Sequence, residues 1–339
     1  MTGRLGELLA ARLALLPRQV GGLTPQLLLQ RDAPGLSAPD HRSANRSCRL
    51  LEARDGWVAL NLARPEDVEL TSILCDQGAE RRAARHQEGN NREVNHCEVT
   101  IWDVVADMAR DCAASEFVAR AVEFQLPAAA LDEATSPPFE TRSGGDAPRR
   151  VLDLSALWAG PLCAGLLAKA GAQVTRIESV RRRDPTPDTA PELDQFLNDA
   201  KERVALDLSD ANDRARLLEM VLDADVLVTS ARAPALARLG LAPETLFALR
   251  PRLIWAAITA HGSRGAGALR VGFGDDCAAA GGLVRRETFS PQFMGDALAD
   301  PLTGIEAALA VFERTRQSSG GFIDIAMARV AAQYAREAS

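Results

Sequence analysis

The sequence predicts an α/β fold: an open, parallel, doubly wound (Rossmann-like) sheet joined to a smaller α+β domain. Three observations carry this. Val151–Glu178 (VLDLSALWAGPLCAGLLAKAGAQVTRIE) reads as strand, Gly-Pro turn, helix and strand. Extended and helical patterns then alternate almost to the last residue, which argues for crossover units and a parallel sheet. Before residue 132 the pattern differs, with a hairpin signal followed by helical periodicity.

The chain starts with MTGRLGELLAARLALLPRQ, an apolar run interrupted by Glu7, Arg12 and Arg18 and lacking a cleavage site. That pattern predicts an amphipathic helix rather than a signal peptide. Residues 1–45 are expected to form this helix and an extended polar segment. Residues 46–131 are expected to form the small domain. Leu50-Leu51 and Trp57-Val58-Ala59-Leu60 flank Asp55-Gly56, a hairpin signal. Residues 77–95 are rich in Arg, Glu and Asn and read as a solvated loop. Trp102, Val105, Met108, Cys112, Phe117 and Val118 recur at helical spacing, predicting two helices over 101–125. Residues 132–149, rich in Pro, Gly, Ser and Thr, read as a linker.

Residues 150–339 are expected to be the large domain. Val151, Leu152 and Leu154 make the first strand, and Pro161 opens a helix carried by Leu162, Leu166, Leu167 and Ala170. Gly171 closes that helix, and Val174 and Ile177 restart an extended run. The crossover is right-handed. Further strands are expected at 203–207, 225–229, 252–260 and 318–325, and helices at 210–223, 233–239, 243–249 and 303–316. A ligand at such a sheet binds outside the carboxyl ends of the strands, around Leu157 to Pro161.

Composition narrows the function. The net charge of −7 over 339 residues argues against nucleic acid as a main partner. No run of about 20 apolar residues predicts a membrane span. The fingerprint GxGxxG is absent, because Gly160-Pro161-Leu162-Cys163-Ala164-Gly165 lacks its spacing, so no nicotinamide or flavin cofactor is expected. Cys48, Cys75, Cys97, Cys112, Cys163 and Cys277 form no CxxC pair and read as free thiols in a reducing, cytoplasmic setting. His41, His86, His96 and the cysteines lack ligand spacing, so no metal site is expected.

Several blocks resemble, in order, the class III CoA-transferase family (the CaiB/BaiF group, with formyl-CoA and carnitine CoA-transferases and α-methylacyl-CoA racemases). They are Val151–Cys163, Ile177-Glu178, Leu197–Leu208 with Asn198 and Lys201, Thr229–Leu241 with Arg232 and Arg238, Pro251–Ile254, Ala299–Leu309 with Asp300 and Gly304, and Ile323–Met327. The segments Asp55–Leu60 and Phe124–Ala130 resemble the family's small domain, which ordinarily follows the large one. The resemblance therefore implies a permuted or rearranged short member.

The resemblance implies coenzyme A or acyl-CoA as substrate and a small carboxylic acid as acceptor. It implies that Leu157, Trp158, Ala159 and Gly160 hold the adenine and pantetheine. It implies that Arg181, Arg182, Arg183, Arg232 and Arg238 stand near the anionic nucleotide end, consistent with what phosphates seek. In transferring members a carboxylate attacks the thioester and forms a mixed anhydride, which only Asp or Glu can make. The loop Leu283–Ala299 offers Asp296 and Glu287. His261, at the carboxyl end of a strand, is a further acid-base candidate. Racemases pair a His with an Asp; the His position is Phe273 here, whereas the Asp corresponds to Asp300. The expectation is a CoA-transferase, with two alternatives: a non-catalytic or partner-dependent CoA-thioester-binding homologue, and, more weakly, the racemase or dehydratase branch. A homodimer or hetero-oligomer is implied.

Overall fold

The computed structural model describes residues 2–29, 33–74, 100–137, 139, 147–286 and 290–339. The whole loop expected at 77–95, part of the linker, Cys75, Cys97 and the candidate Glu287 lie outside the described residues. Cys48, Cys112, Cys163 and Cys277 are free and buried.

The centre of the molecule is a six-stranded parallel sheet. Its strands are β4 (Arg150–Leu154), β5 (Gln173–Ser179), β6 (Glu202–Leu206), β7 (Val226–Thr229), β8 (Ile254–Thr259) and β11 (Gly321–Ala326). Across the sheet the order is β11-β8-β7-β4-β5-β6, every neighbouring pair parallel. In chain order this is 3-2-1-4-5-6, the doubly wound arrangement, and the winding reverses between β4 and β7.

Alternate residues of a strand point to opposite faces, and both faces are covered here. Val151, Val174, Val226, Val228, Ile254 and Ile258 face α4 (Ala159–Lys169), α8 (Ala299–Arg316) and α9 (Met327–Ala338) in one core. Leu152, Ile177, Leu227, Trp255 and Ala257 face the other way, against Leu217 and Val221 of α6 (Ala211–Asp223). The N-terminal helix α1 (Thr2–Leu13) sends Leu5 and Leu9 into the first core. Arg12 pairs with Glu306 at 2.6 Å, and the Tyr334 hydroxyl donates to the same carboxylate at 3.0 Å, all buried. The first 45 residues thus hold a helix docked on the large core, with shorter helical turns at Arg18–Val20 and Pro25–Leu29 that periodicity did not predict.

The smaller sheet joins β1 (Cys48–Ala53), β2 (Gly56–Asn61) and β3 (Ala128–Ala130), all antiparallel, with Asp55-Gly56 at the expected hairpin. Two helices pack on it, α2 (Ile101–Asp111) and α3 (Ala114–Glu123). A capping box starts α2: Thr100 Oγ1 accepts the Asp103 N–H at 3.3 Å, and Asp103 accepts the Thr100 N–H at 2.9 Å. Cys48, Leu50 and Ala59 share a small core with Ala279, Val284 and Phe293. That contact sets the small sheet against α7 (Gly274–Ala280), the element that carries much of the site.

Two helix starts differ from expectation for one reason. α4 begins at Ala159, two residues before Pro161, and α8 at Ala299, two before Pro301. The first four N–H groups of a helix have no internal partner, so proline is tolerated anywhere in the first turn. The helix Pro191–Asn198 had no sequence assignment; its mixed polar composition hides the short apolar stripe that it buries.

Candidate functional site

The site lies at the carboxyl ends of the strands, where the winding reverses. The turn after β4 is held from below by a buried ionic network. Lys201 Nζ donates at 2.8 Å to Asp153, to the Pro161 carbonyl and to Asn198. Arg176 stands 3.6 Å from Asp153 and 2.6 Å from Asp184. Burial by itself would raise the Asp153 pKa, but the charges of Lys201 and Arg176 outweigh it and hold the carboxylate below its usual range. Asp184 in turn accepts the Leu157 N–H at 2.9 Å, and Ser230, just beyond β7, accepts the Ala156 N–H at 3.0 Å. Leu157 has φ +68°, a conformation costly for a leucine, which these bonds enforce. Gly160 is required: a Cβ there would stand 2.3 Å from the Ser155 side chain.

Above this turn four carboxylates converge. Asp275 and Asp276 occupy the first turn of α7, Asp300 the first turn of α8, and Asp296 the segment leading into α8. Asp300 accepts the Ala159 N–H at 3.3 Å and the Gly274 N–H. Asp275 accepts the Ala297 N–H at 2.9 Å, and Asp276 accepts the Phe273 N–H at 2.9 Å and an amide N–H of Asn61 at 3.1 Å. Gly274 makes the arrangement possible, since a Cβ at that position would lie 2.2 Å from the Asp300 carboxylate. Burial, then the charges of Asp296 and Asp276, pushes Asp300 up to about 7 despite the two N–H bonds. Burial likewise pushes Asp276 up to about 7, and burial with the Asp296 charge raises Asp275 well above the carboxylate range. Asp275, Asp276 and Asp296 are at most 5% exposed. Asp300 is only partly buried and is the most exposed of the four.

His261, just beyond β8, is enclosed beside this cluster. Its side chain is 6% exposed, and its Nδ1 lies 3.8 Å from Glu133, which Arg270 holds at 2.5 Å. Burial, then the Arg270 charge, pushes the imidazole down to about 3, so it is neutral at physiological pH.

Comparison with known proteins bears on this arrangement directly. The sequence model of CoA-transferase family III matches residues 147–338, which hold every strand of the parallel sheet, the helices α4, α7 and α8, and all four carboxylates of the cluster. The chain belongs to CoA-transferase family III. It is 30% identical over 200 residues to an acyl-CoA transferase of Fusarium pseudograminearum, covering 52% of this chain and 44% of that one. It is 32% identical over 191 residues to the acetyl-CoA:oxalate CoA-transferase of Acetobacter aceti, covering 52% and 49%. It is also 32% identical over 186 residues to the α-methylacyl-CoA racemase of Mus musculus, covering 52% and 46%. Among solved structures, a CAIB/BAIF family protein from Brucella suis matches with a TM-score of 0.51 and 27% identity, covering 56% of this chain and 55% of that one. The chain spans about half the length of the curated relatives it matches.

Within this family III chain the expected site residues divide. Leu157, Trp158, Ala159 and Gly160 form the turn at the winding reversal, with Trp158 packed into the core at 5% exposure and Ala159 and Gly160 also buried. Leu157 is exposed, and the Ala159 N–H donates to Asp300. Arg182, Arg232 and Arg238 are exposed and near enough that, after burial, Arg64, Arg182 and Arg238 together depress the Arg232 pKa. Arg64 comes from the N-terminal half, pairs with Asp67 and lies over the Phe273 ring at 5.7 Å. Arg181 instead pairs with Asp207 at 2.9 Å, and Arg183 is exposed. Asp296 lies inside the carboxylate group. Sequence alone leaves Asp275-Asp276, after the Gly272-Phe273-Gly274 turn, open between a catalytic pair and a helix cap, and nothing in its local pattern separates Arg64 from a surface arginine. Among the described residues no helix is long and apolar enough to cross a membrane.

Proposed function

We propose that this chain binds an acyl-CoA thioester at the carboxyl ends of its parallel strands and takes part in moving CoA to an acceptor carboxylate. Asp300 is the attacking group. One observation carries the choice: Asp300 is the most exposed member of a buried carboxylate cluster and sits against two backbone N–H groups, of Ala159 and Gly274. Asp296, at 5% exposure, supports Asp300 by its charge.

An Asp300 oxygen adds to the thioester carbonyl carbon, the C–S bond breaks, and CoA leaves as thiolate. The product is a mixed anhydride between Asp300 and the acyl group. The thiolate then attacks the Asp300 carbonyl carbon and releases the original acid as its carboxylate, leaving an aspartyl-CoA thioester. The acceptor carboxylate repeats the two steps in reverse. When the thiolate adds to the Asp300 carbonyl carbon, negative charge grows on an Asp300 oxygen, to which the Ala159 and Gly274 N–H groups donate. The high Asp300 pKa favours the reaction, because a more basic carboxylate is a better nucleophile. The arginines Arg64, Arg182, Arg232 and Arg238 supply the charge that a nucleotide phosphate needs.

The test is to incubate the full chain with acyl-CoA and a carboxylate, trap with hydroxylamine or borohydride, and map the adduct. Modification at Asp300, abolished by Asp300→Asn, supports the proposal. Binding of CoA with no adduct supports the alternative of a CoA-thioester-binding homologue. Absence of CoA binding by calorimetry refutes both.

A further inference from the structure

Beside the carboxylate cluster, the fold brings together three side chains that the reaction above does not use. His261 follows β8, and Asp276 and Cys277 lie in the first turns of α7. A ring nitrogen, a carboxylate oxygen and the thiol sulfur all lie within 4.8 Å of one another. The Asp276 Oδ2 to Cys277 Sγ distance is 3.9 Å. No water-exposed rim supplies partners, since Asp276 and Cys277 are fully buried and the His261 side chain is 6% exposed.

One further observation points to a ligand. His261 Nε2 is buried and has no hydrogen-bond partner, a state that costs free energy in a folded protein. Gly272 packs directly against the other two groups: a Cβ there would stand 2.7 Å from Asp276 Oδ2, 2.8 Å from the Ala260 Cβ and 3.0 Å from Cys277 Sγ, too close for a carbon atom.

We propose that His261, Asp276 and Cys277 form a binding site for a single zinc-like divalent cation. The donor set, one imidazole, one thiolate and one carboxylate, selects zinc over magnesium or calcium, which take oxygen ligands. In a tetrahedral zinc site, bonds of about 2.0–2.3 Å put neighbouring donors roughly 3.5 Å apart. The Asp276–Cys277 pair, at 3.9 Å, is near that separation already, and a His261 ring nitrogen lies within 4.8 Å of both. Charge also balances: a divalent ion with one thiolate, one carboxylate and a neutral imidazole has no net charge, the arrangement a dry site tolerates. Binding releases the protons of Cys277 and of the buried Asp276 carboxyl; in the metal-free form the Cys277 thiol donates to the Ala260 carbonyl at 3.7 Å. Glu133, 3.8 Å from Nδ1, favours the tautomer with the proton on Nδ1 and so leaves Nε2 to coordinate. Asn61 and the Phe273 N–H fix Oδ1 of Asp276.

The inference does not rest on CoA transfer, and its test contains no CoA. The full chain, stripped with chelator, is titrated with cobalt(II) and separately with zinc. The expected result is one equivalent bound, with visible d–d bands of a tetrahedral site and a near-ultraviolet thiolate-to-cobalt charge-transfer band. Cys277→Ser loses the charge-transfer band, whereas Cys163→Ser, at another buried thiol, retains it. His261→Gln weakens binding by about a hundredfold or more, since even an outer partner of a ligand is worth up to that factor. Circular dichroism checks that each variant folds; if Cys277→Ser does not, His261→Gln decides the matter. No binding by the parent chain, or a charge-transfer band that survives these substitutions, overturns the assignment.

Discussion

Replacing Lys201 by methionine keeps the aliphatic stem and deletes the ammonium beneath the active-site turn. Lys201 Nζ donates three bonds of 2.8 Å, and both it and its partner Asp153 are 0% exposed. Removing one member of such a pair strands a buried charge, which costs about 3–5 kcal/mol. Arg176 stays 3.6 Å from Asp153 and shares its charge, so the lower end, about 3 kcal/mol, is expected. The assay is urea unfolding followed by circular dichroism, with the loss read at unchanged slope. The double variant Asp153→Asn/Lys201→Met removes the stranded charge and should cost less than the sum of the singles by about 2 kcal/mol. A Lys201→Met loss below about 1 kcal/mol, or additivity within about 0.5 kcal/mol, would refute the reasoning. Because Lys201 also holds the Pro161 carbonyl in the first turn of α4, CoA affinity should fall in parallel.

Asp300→Asn should lower acyl transfer by roughly a thousandfold or more while leaving CoA affinity within a few-fold, as measured by product formation and calorimetry. Since Asp300 is pushed up to about 7, transfer by the parent chain should rise with pH through about 7 and level off above it. The same shift sets stability: in the folded state Asp276 and Asp300 hold protons that the unfolded chain releases near its ordinary carboxylate pKa. Their contribution is complete below about 4 and is lost as pH rises to about 7, so the melting temperature should drop between pH 5 and 8, and drop less in Asp300→Asn. Gly274→Ala puts a Cβ 2.2 Å from Asp300 and 2.5 Å from the Ala297 carbonyl; it should cost about 1–3 kcal/mol in urea unfolding, and a loss under about 0.5 kcal/mol would mean the helices part easily. Replacing Arg182, Arg232 and Arg238 by alanine together should weaken CoA binding and flatten its salt dependence, with unaltered dependence telling against a phosphate site there.

Local signals were legible where one segment carries its own pattern. Val151–Glu178 announced strand, helix and strand because its apolar residues change period at Gly160-Pro161, and the structure holds β4, α4 and β5 there. The Asp55-Gly56 hairpin was legible for the same reason. Helix Pro191–Asn198 was not, because most of its residues are polar. Asp296 was noticed as an acid in a loop, but its burial beside Asp275 and Asp300 depends on how α7 meets α8. Arg64 shows the same limit: its nearness to Arg232 crosses from the small sheet's half of the chain to the large one.

The sequence alone determined the parallel α/β architecture and the family, since periodicity and ordered motif blocks are properties of contiguous residues. Tertiary structure alone decided which carboxylate is most exposed and that His261, Asp276 and Cys277 come together. Access and ligand geometry arise from the packing of α4, α7 and α8 over strands far apart in the chain, and no local pattern encodes a distance between separate elements.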